Sequence, residues 1–144
     1  MSADILHDFP IGVSPSRVFE AITTPAGLDQ WWTVRSAGAP IPGSEYQLWF
    51  GPEYDWRAVV SIARPNEAFE LRISKAVVDW LGTRVGFVLT PGGHGTQVQF
   101  HHSGWNGASE HFRISSYCWA MYLRILRRYV EHGESVPYER RLEV

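Results

Sequence analysis

The chain has 144 residues, 44% of them apolar, with a formal net charge of −2. That length suits one domain, 1–144, able to bury roughly 70% of its unfolded surface. Net charge and a pI near 6.3 argue against a nucleic-acid partner, which asks for a basic face. No apolar run reaches the roughly 20 residues of a membrane span. The start, MSADILHDF, lacks the basic and apolar segments of a secretory leader, so a cytoplasmic protein is expected. Cys118 is the only cysteine, which leaves no intramolecular disulfide and no cysteine-based zinc site. On the apolar arc of a helix it reads as a small buried hydrophobe.

From the N-terminus, residues 4–12 alternate as a strand, with Ile5, His7, Phe9 and Ile11 on one side. Ser14-Pro15 then offers an N-cap followed by proline at the first helical position. Val18, Phe19 and Ile22 repeat at helical spacing, and Thr24-Pro25 opens a second short helix carrying Leu28, Trp31 and Trp32. Residues 37–44 are rich in Gly, Pro and Ser and read as loop.

Strand patterns follow in succession. Tyr46, Leu48 and Phe50 alternate, then Trp56, Ala58, Val60 and Ile62, with Pro65-Asn66 as a turn. Phe69, Leu71 and Ile73 alternate with Glu70, Arg72 and Ser74, the period of a half-solvated antiparallel strand. Val85, Phe87 and Leu89 share a face of the next run, the glycines at 92, 93 and 95 mark a hairpin, and Val98, Phe100 and His102 share a face of the last strand.

Residues 107–132 form one long helix, with Asn106 as the expected cap and Gly133 as its left-handed stop. Phe112, Trp119, Tyr122, Leu123, Leu126 and Val130 make one apolar stripe; Ile114, Cys118, Met121, Ile125 and Tyr129 make a second beside it. Together they span roughly 200° of arc, twice what a helix resting on one core needs. Ser116, Arg124, Arg127, Arg128 and Glu131 fill the wet side. The three arginines suit a helix C-terminus by charge alone. The order predicts an α+β fold: a curved antiparallel sheet of about six strands wrapped around a long C-terminal helix, with two short helices between strands 1 and 2.

That order, with the phrases VSPSRVFEAITTPAGLDQWW at 13–32, GTRVGFVLTP at 82–91 and GTQVQFHHSGW at 95–105, resembles the START/Bet v I-like helix-grip superfamily, often called SRPBCC. Within it the chain is similar to the branch related to the heat-shock chaperone ATPase activator. Trp119, Leu123, Leu126 and the stretch 129–133 complete the likeness. The resemblance implies the helix-grip fold. It implies no single function, since members bind lipids, hormones or polyketides, cyclise polyketides or confer antibiotic self-resistance, and fold alone does not choose among these.

Strand parity turns Tyr46, Phe50, Trp56, Phe69, Phe87 and Phe100 toward the helix, opposite Trp119, Tyr122, Leu123 and Leu126, with Trp32 and Trp105 at the rim. These rings either line a cavity or fill a core, and the resemblance tips the reading to a cavity that opens near Trp32 and Trp105. His102 points inward at the end of its strand. It either bonds to the scaffold or meets a ligand, as a hydrogen-bond partner or an acid–base group. His101 has the opposite parity and faces out, so the pair does not chelate one metal. His111 is expected to be exposed, and Asp79 and Glu45 to be solvated carboxylates. No HExxH, P-loop or GxSxG phrase occurs. The expectation is therefore a protein that binds a small hydrophobic or aromatic molecule, without catalytic residues, metal or other cofactor, and compatible with a homodimer. A polyketide cyclase-like enzyme using His102, Tyr122 or Asp79, and an interaction protein regulating a chaperone ATPase, are the alternatives.

Overall fold

The computed structural model describes residues 2–144. Seven strands run β1 (Ala3–Ile11), β2 (Arg35–Ala37), β3 (Glu45–Trp49), β4 (Asp55–Arg64), β5 (Ala68–Lys75), β6 (Arg84–Gly92) and β7 (Gly95–Trp105). Two short helices, α1 (Pro15–Thr23) and α2 (Pro25–Trp31), follow β1; the long helix α3 (Glu110–His132) follows β7, and a 3-10 segment (Tyr138–Glu143) ends the chain. The strands form one curved open sheet in the order β1-β7-β6-β5-β4-β3-β2, every neighbouring pair antiparallel. This is the predicted helix grip, with seven strands rather than about six. The extra strand, β2, has three residues, too few for alternation to register. It is fastened by pairing Arg35 with Trp49, whose indole face lies 4.1 Å from the guanidinium carbon, a cation–π contact.

Alternation holds where the ladder is regular. Phe69, Leu71 and Ile73 of β5, Val85, Phe87 and Leu89 of β6, and Val98, Phe100 and His102 of β7 are all buried. It fails at Ile62, expected to share the inner face of Trp56, Ala58 and Val60. The pairing shifts between Val60 and Ile62, which face Leu71 and Glu70; this bulge turns Ile62 outward, where it is 37% exposed. On the outer face His101 lies over Gly86, where a Cβ would stand 2.5 Å from the imidazole, and its Nε2 is 2.7 Å from a Glu70 carboxylate oxygen.

The long helix begins at Glu110 and its cap is Ser109, whose hydroxyl accepts the Phe112 N–H at 3.2 Å. Asn106 does not cap it, because Gly107 takes a φ of 97° and breaks the helical path between them. Gly133 stops the helix at φ 69°, as expected. The broad apolar arc is buried at Met121, Leu123, Ile125, Leu126 and Val130, on a helix that packs against both β1 and α1–α2. The second stripe is less well covered elsewhere: Ile114, in the first turns, is 52% exposed, and Cys118 and Tyr129 are half-buried.

The wet side of α3 is less uniformly solvated than expected. Ser116 is half-buried and its carbonyl accepts from the His7 ring. Glu131 accepts the Gly12 N–H at 2.6 Å and the Arg127 Nε–H at 3.2 Å, and these bonds hold its carboxyl below the usual range against the opposing pull of partial burial. It ties the end of β1 to α3. Glu131→Ala is therefore expected to cost about 1 kcal/mol in urea unfolding, while Arg124→Ala, on the exposed arc, changes stability by no more than about 0.5 kcal/mol.

Candidate functional site

The interior between sheet and helix is filled by protein. Trp119 of α3 lies 4.6 Å from Phe100, 5.2 Å from Trp32 and 5.9 Å from Trp80, ring centre to ring centre. Tyr46, Phe69, Phe87, Phe100, Trp119, Leu123 and Leu126 are all buried. Tyr46 donates its phenol proton to the Thr23 carbonyl at 2.7 Å, and burial raises its pKa. Leu123 also touches a shallow hollow of about 190 Å³ beside His7, Phe9 and Arg127. Trp105 is buried against His111 and Phe112.

His102 is fully buried, and both ring nitrogens are engaged. Nδ1 accepts the Trp119 indole N–H at 3.0 Å, and Nε2 stands 2.8 Å from the Thr83 hydroxyl. That hydroxyl gives its own proton to the Trp80 carbonyl, so Nε2 carries the ring proton and donates it to Thr83. Adding a second proton would set Nδ1–H against the Trp119 N–H. Burial, with smaller contributions from His101 and His111, lowers the pKa of His102 to about 3. Of the two readings its position allowed, the scaffold role is the one this geometry serves, with a hydroxyl and an indole as partners. With one ring nitrogen accepting from Trp119 and the other donating to Thr83, the imidazole has neither a lone pair nor an N–H free for a ligand.

The open space lies at one end of this core. Trp32, at the C-terminal end of α2, Phe50, Tyr54 and Trp56 from the β3–β4 hairpin, Trp80 from the β5–β6 loop, Tyr122 of α3 and Tyr138 of the C-terminal segment line a cleft of about 240 Å³. Phe50 is its hub, 5.3 Å from Trp56, 5.9 Å from Trp32 and 6.3 Å from Tyr138. Of the residues expected to face inward or to stand at the rim, Trp32, Phe50, Trp56 and Tyr122 meet here; Tyr46, Phe69, Phe87, Phe100, His102, Trp105, Trp119, Leu123 and Leu126 do not. Tyr54, Trp80 and Tyr138 join from a hairpin, a loop and the tail, where no periodicity marks a facing side. Burial, helped by the Tyr138 phenol, pushes Tyr122 up to about 12, so its hydroxyl keeps its proton at neutral pH.

Tyr138 is held in place by Arg141, which is 3% exposed. Its guanidinium donates to the carbonyls of Val136, Thr33 and Asp29 and lies 5.5 Å from the Tyr138 ring centre. Asp29 and Thr33 sit at the end of α2, where orphan carbonyls welcome a cation. A larger groove of about 610 Å³ runs along Ser14, Arg64, Asn66 and Pro91 on the surface, without an aromatic wall. Buried indole N–H groups without a partner occur at Trp80 and Trp105. Asp79 is half exposed and pairs with His111 at 2.9 Å. Among the described residues no group of three or more His, Cys, Asp or Glu side chains stands close enough to hold a metal, and no helix is long and apolar enough to cross a membrane.

A curved antiparallel sheet gripping a long C-terminal helix, with an aromatic cleft at one end, defines a helix-grip protein of the SRPBCC class. Residues 12–131 match the family described as Activator of Hsp90 ATPase homolog 1-like protein, and the chain belongs to that family. It is similar to the Aha1 dimer of Colwellia psychrerythraea, with 28% identity over 92% of this chain and 99% of that one, and a TM-score of 0.83. It shares its fold with DynU16, described as a putative protein in the dynemicin biosynthetic locus, at 19% identity over 94% of this chain and 50% of that one, TM-score 0.80. CalU16 from Micromonospora echinospora has the same fold, at 17% identity over 92% and 77% of the two chains, TM-score 0.68. No curated protein matches the sequence.

Proposed function

We propose that this protein, acting as one domain, binds a small flat aromatic molecule in the cleft beside Trp32 and Tyr122. The observation that carries this reading is the convergence of seven aromatic side chains, from five separate segments, on one open space of about 240 Å³. Ligand sites are concave and mostly apolar with a few placed polar groups, and here three phenol hydroxyls are the polar groups. The volume suits a molecule smaller than a typical drug, of one to three fused rings. Each well-placed ring pair contributes roughly 0.5–1.5 kcal/mol beyond the area it buries. Behind the cleft Phe87, Phe100 and Trp119 pack on one another and close off the sheet–helix interior. The lone thiol of Cys118 suits a reducing compartment, in keeping with a cytoplasmic location.

Naphthalene is the simplest probe. Titrated against tryptophan fluorescence, it should give a saturable change in the intact protein, and Tyr122→Ala should weaken binding about tenfold. Binding that is non-saturable, or indifferent to Tyr122→Ala in a folded variant, defeats the reading.

We also propose that two copies associate through Val78 and Leu81 of the β5–β6 loop and Ile114 and Tyr117 of α3, since the similar Colwellia Aha1 is a dimer. All four are more than half exposed, and the Asp79–His111 pair joins the two segments. An exposed apolar patch of this kind marks an interaction surface. Sedimentation over a concentration series should show a dimer that Tyr117→Glu converts to monomer; a monomer at all concentrations contradicts it.

A further inference from the structure

The indoles of Trp80 and Trp105 both stand against His102, at 4.5 and 4.8 Å between ring centres. Neither N–H has a hydrogen-bond partner among the described residues. They differ in one respect: Trp80 is also a wall of the aromatic cleft. A buried donor without an acceptor is uncommon, because its hydration is given up for nothing. Neighbouring ring faces offer only weak N–H···π contacts in exchange.

Apart from Trp80, the loop that carries it buries little side-chain surface within one copy of the chain. Within residues 76–82 the indole is the only large apolar side chain that is buried, while Val77, Val78 and Leu81 are exposed. The other fastenings are the Gly82 N–H bond to the Ile73 carbonyl at 2.8 Å, turn bonds within the loop, the bonds from the Thr83 N–H and hydroxyl to the Trp80 carbonyl, and a surface ion pair from Asp79 to His111. Gly82, at φ 81°, returns the chain to β6. Such a segment yields more readily than the packed sheet behind it.

The polar character of the cleft points the same way. Its side-chain lining contains phenols and indoles but no carboxylate, amide or imidazole, so it is rich in donors. Aromatic walls also attract cations, yet the buried Arg141 already stands behind Tyr138 and opposes a positively charged guest. An acceptor on the guest meets both conditions.

We infer that the ligand of the cleft is an aromatic molecule bearing a carbonyl oxygen, of the ketone or quinone class, and that this oxygen accepts the Trp80 indole N–H. The inference rests on the cleft being a ligand site, as proposed above. The donor is closed to water, so the 76–82 loop shifts as the ligand enters and presents it. A purely hydrocarbon ring gives the donor nothing; a carbonyl satisfies it.

Fluorenone and fluorene test this, since they share a three-ring frame and differ by a carbonyl in place of a methylene. With nitrogen-15 labelled protein, fluorenone should bind roughly 3- to 10-fold more tightly than fluorene, the usual worth of one neutral hydrogen bond. It should also move the Trp80 indole N–H resonance downfield, and fluorene should not. Trp80→Phe keeps a ring in the wall but removes the donor; it should abolish the preference, so that fluorenone and fluorene bind the variant with equal affinity. Equal binding of the two probes to the unaltered protein, with the Trp80 resonance unmoved, overturns the inference while leaving the cleft as a site. A fluorenone preference that survives Trp80→Phe assigns the contact to a phenol and overturns it too. Failure of both probes to bind overturns the cleft reading and this inference with it.

Discussion

Trp119→Ala should destabilise the protein by about 3–5 kcal/mol, the range found when a large buried ring is cut back and its cavity only partly collapses. Trp119 is 2% exposed and touches rings from α2, the β5–β6 loop and β7. Its indole N–H also holds His102 Nδ1, so the loss includes an imidazole nitrogen left without a donor. Trp119→Phe separates the two effects: it keeps an aromatic ring and deletes the bond. Equilibrium urea unfolding of both variants is the measurement. A cost under about 1 kcal/mol for Trp119→Ala contradicts the packing described here.

The second large effect is a dependence on pH set by His102. Its pKa in the folded protein is about 3, against about 6.5 in an unfolded chain. As pH falls, the unfolded chain takes up this proton first. The stabilisation is therefore complete above about pH 7, starts to go as pH drops through 6.5, and is exhausted near the folded value. Between pH 7.5 and pH 5 the loss from this one group should be about 2 kcal/mol. That window lies above the range in which the carboxyls of Asp55 and Glu131 change charge, both held below their ordinary values by their hydrogen bonds. Unfolding free energies at the two pH values, for the protein and for His102→Gln, isolate the effect. The variant should lose the His102 contribution. The same slope in both proteins contradicts the assignment of a buried, neutral imidazole.

The regular parts of this fold are plain in the amino-acid sequence because burial repeats with the backbone. Phe69, Leu71 and Ile73 alternate with polar neighbours since one face of β5 meets the core and the other meets water. Where the backbone departs from its period the reading departs with it. The bulge at β4 displaced Ile62, the three-residue β2 was too short to show a pattern, and the positive φ of Gly107 moved the helix cap from Asn106 to Ser109. The wide apolar arc of α3 has its physical cause in the packing of the helix against α1 and α2 as well as against the sheet.

The candidate site was harder to see for a different reason. Parity states which side chains point inward, but not whether the space between them is occupied. Phe87, Phe100 and Trp119 point inward and close the interior on one another, while Phe50 and Trp56, on the same face, come out beside open space. The difference lies in tertiary position along the sheet. Tyr54, Trp80 and Tyr138 come from irregular segments, and Tyr138 is placed by Arg141 reaching back to the carbonyls of Asp29 and Thr33, more than a hundred residues earlier. No local pattern encodes such a contact.

The proposed ligand site is the aromatic cleft rather than the sheet–helix interior. Intermolecular nuclear Overhauser effects from bound naphthalene test it most directly. The cleft reading predicts contacts from naphthalene protons to the rings of Trp32, Tyr54 and Tyr122, with none to Phe87 or Leu126. Contacts to Phe87 or Leu126, or to the groove beside Ser14 and Pro91 in place of the cleft, would contradict it.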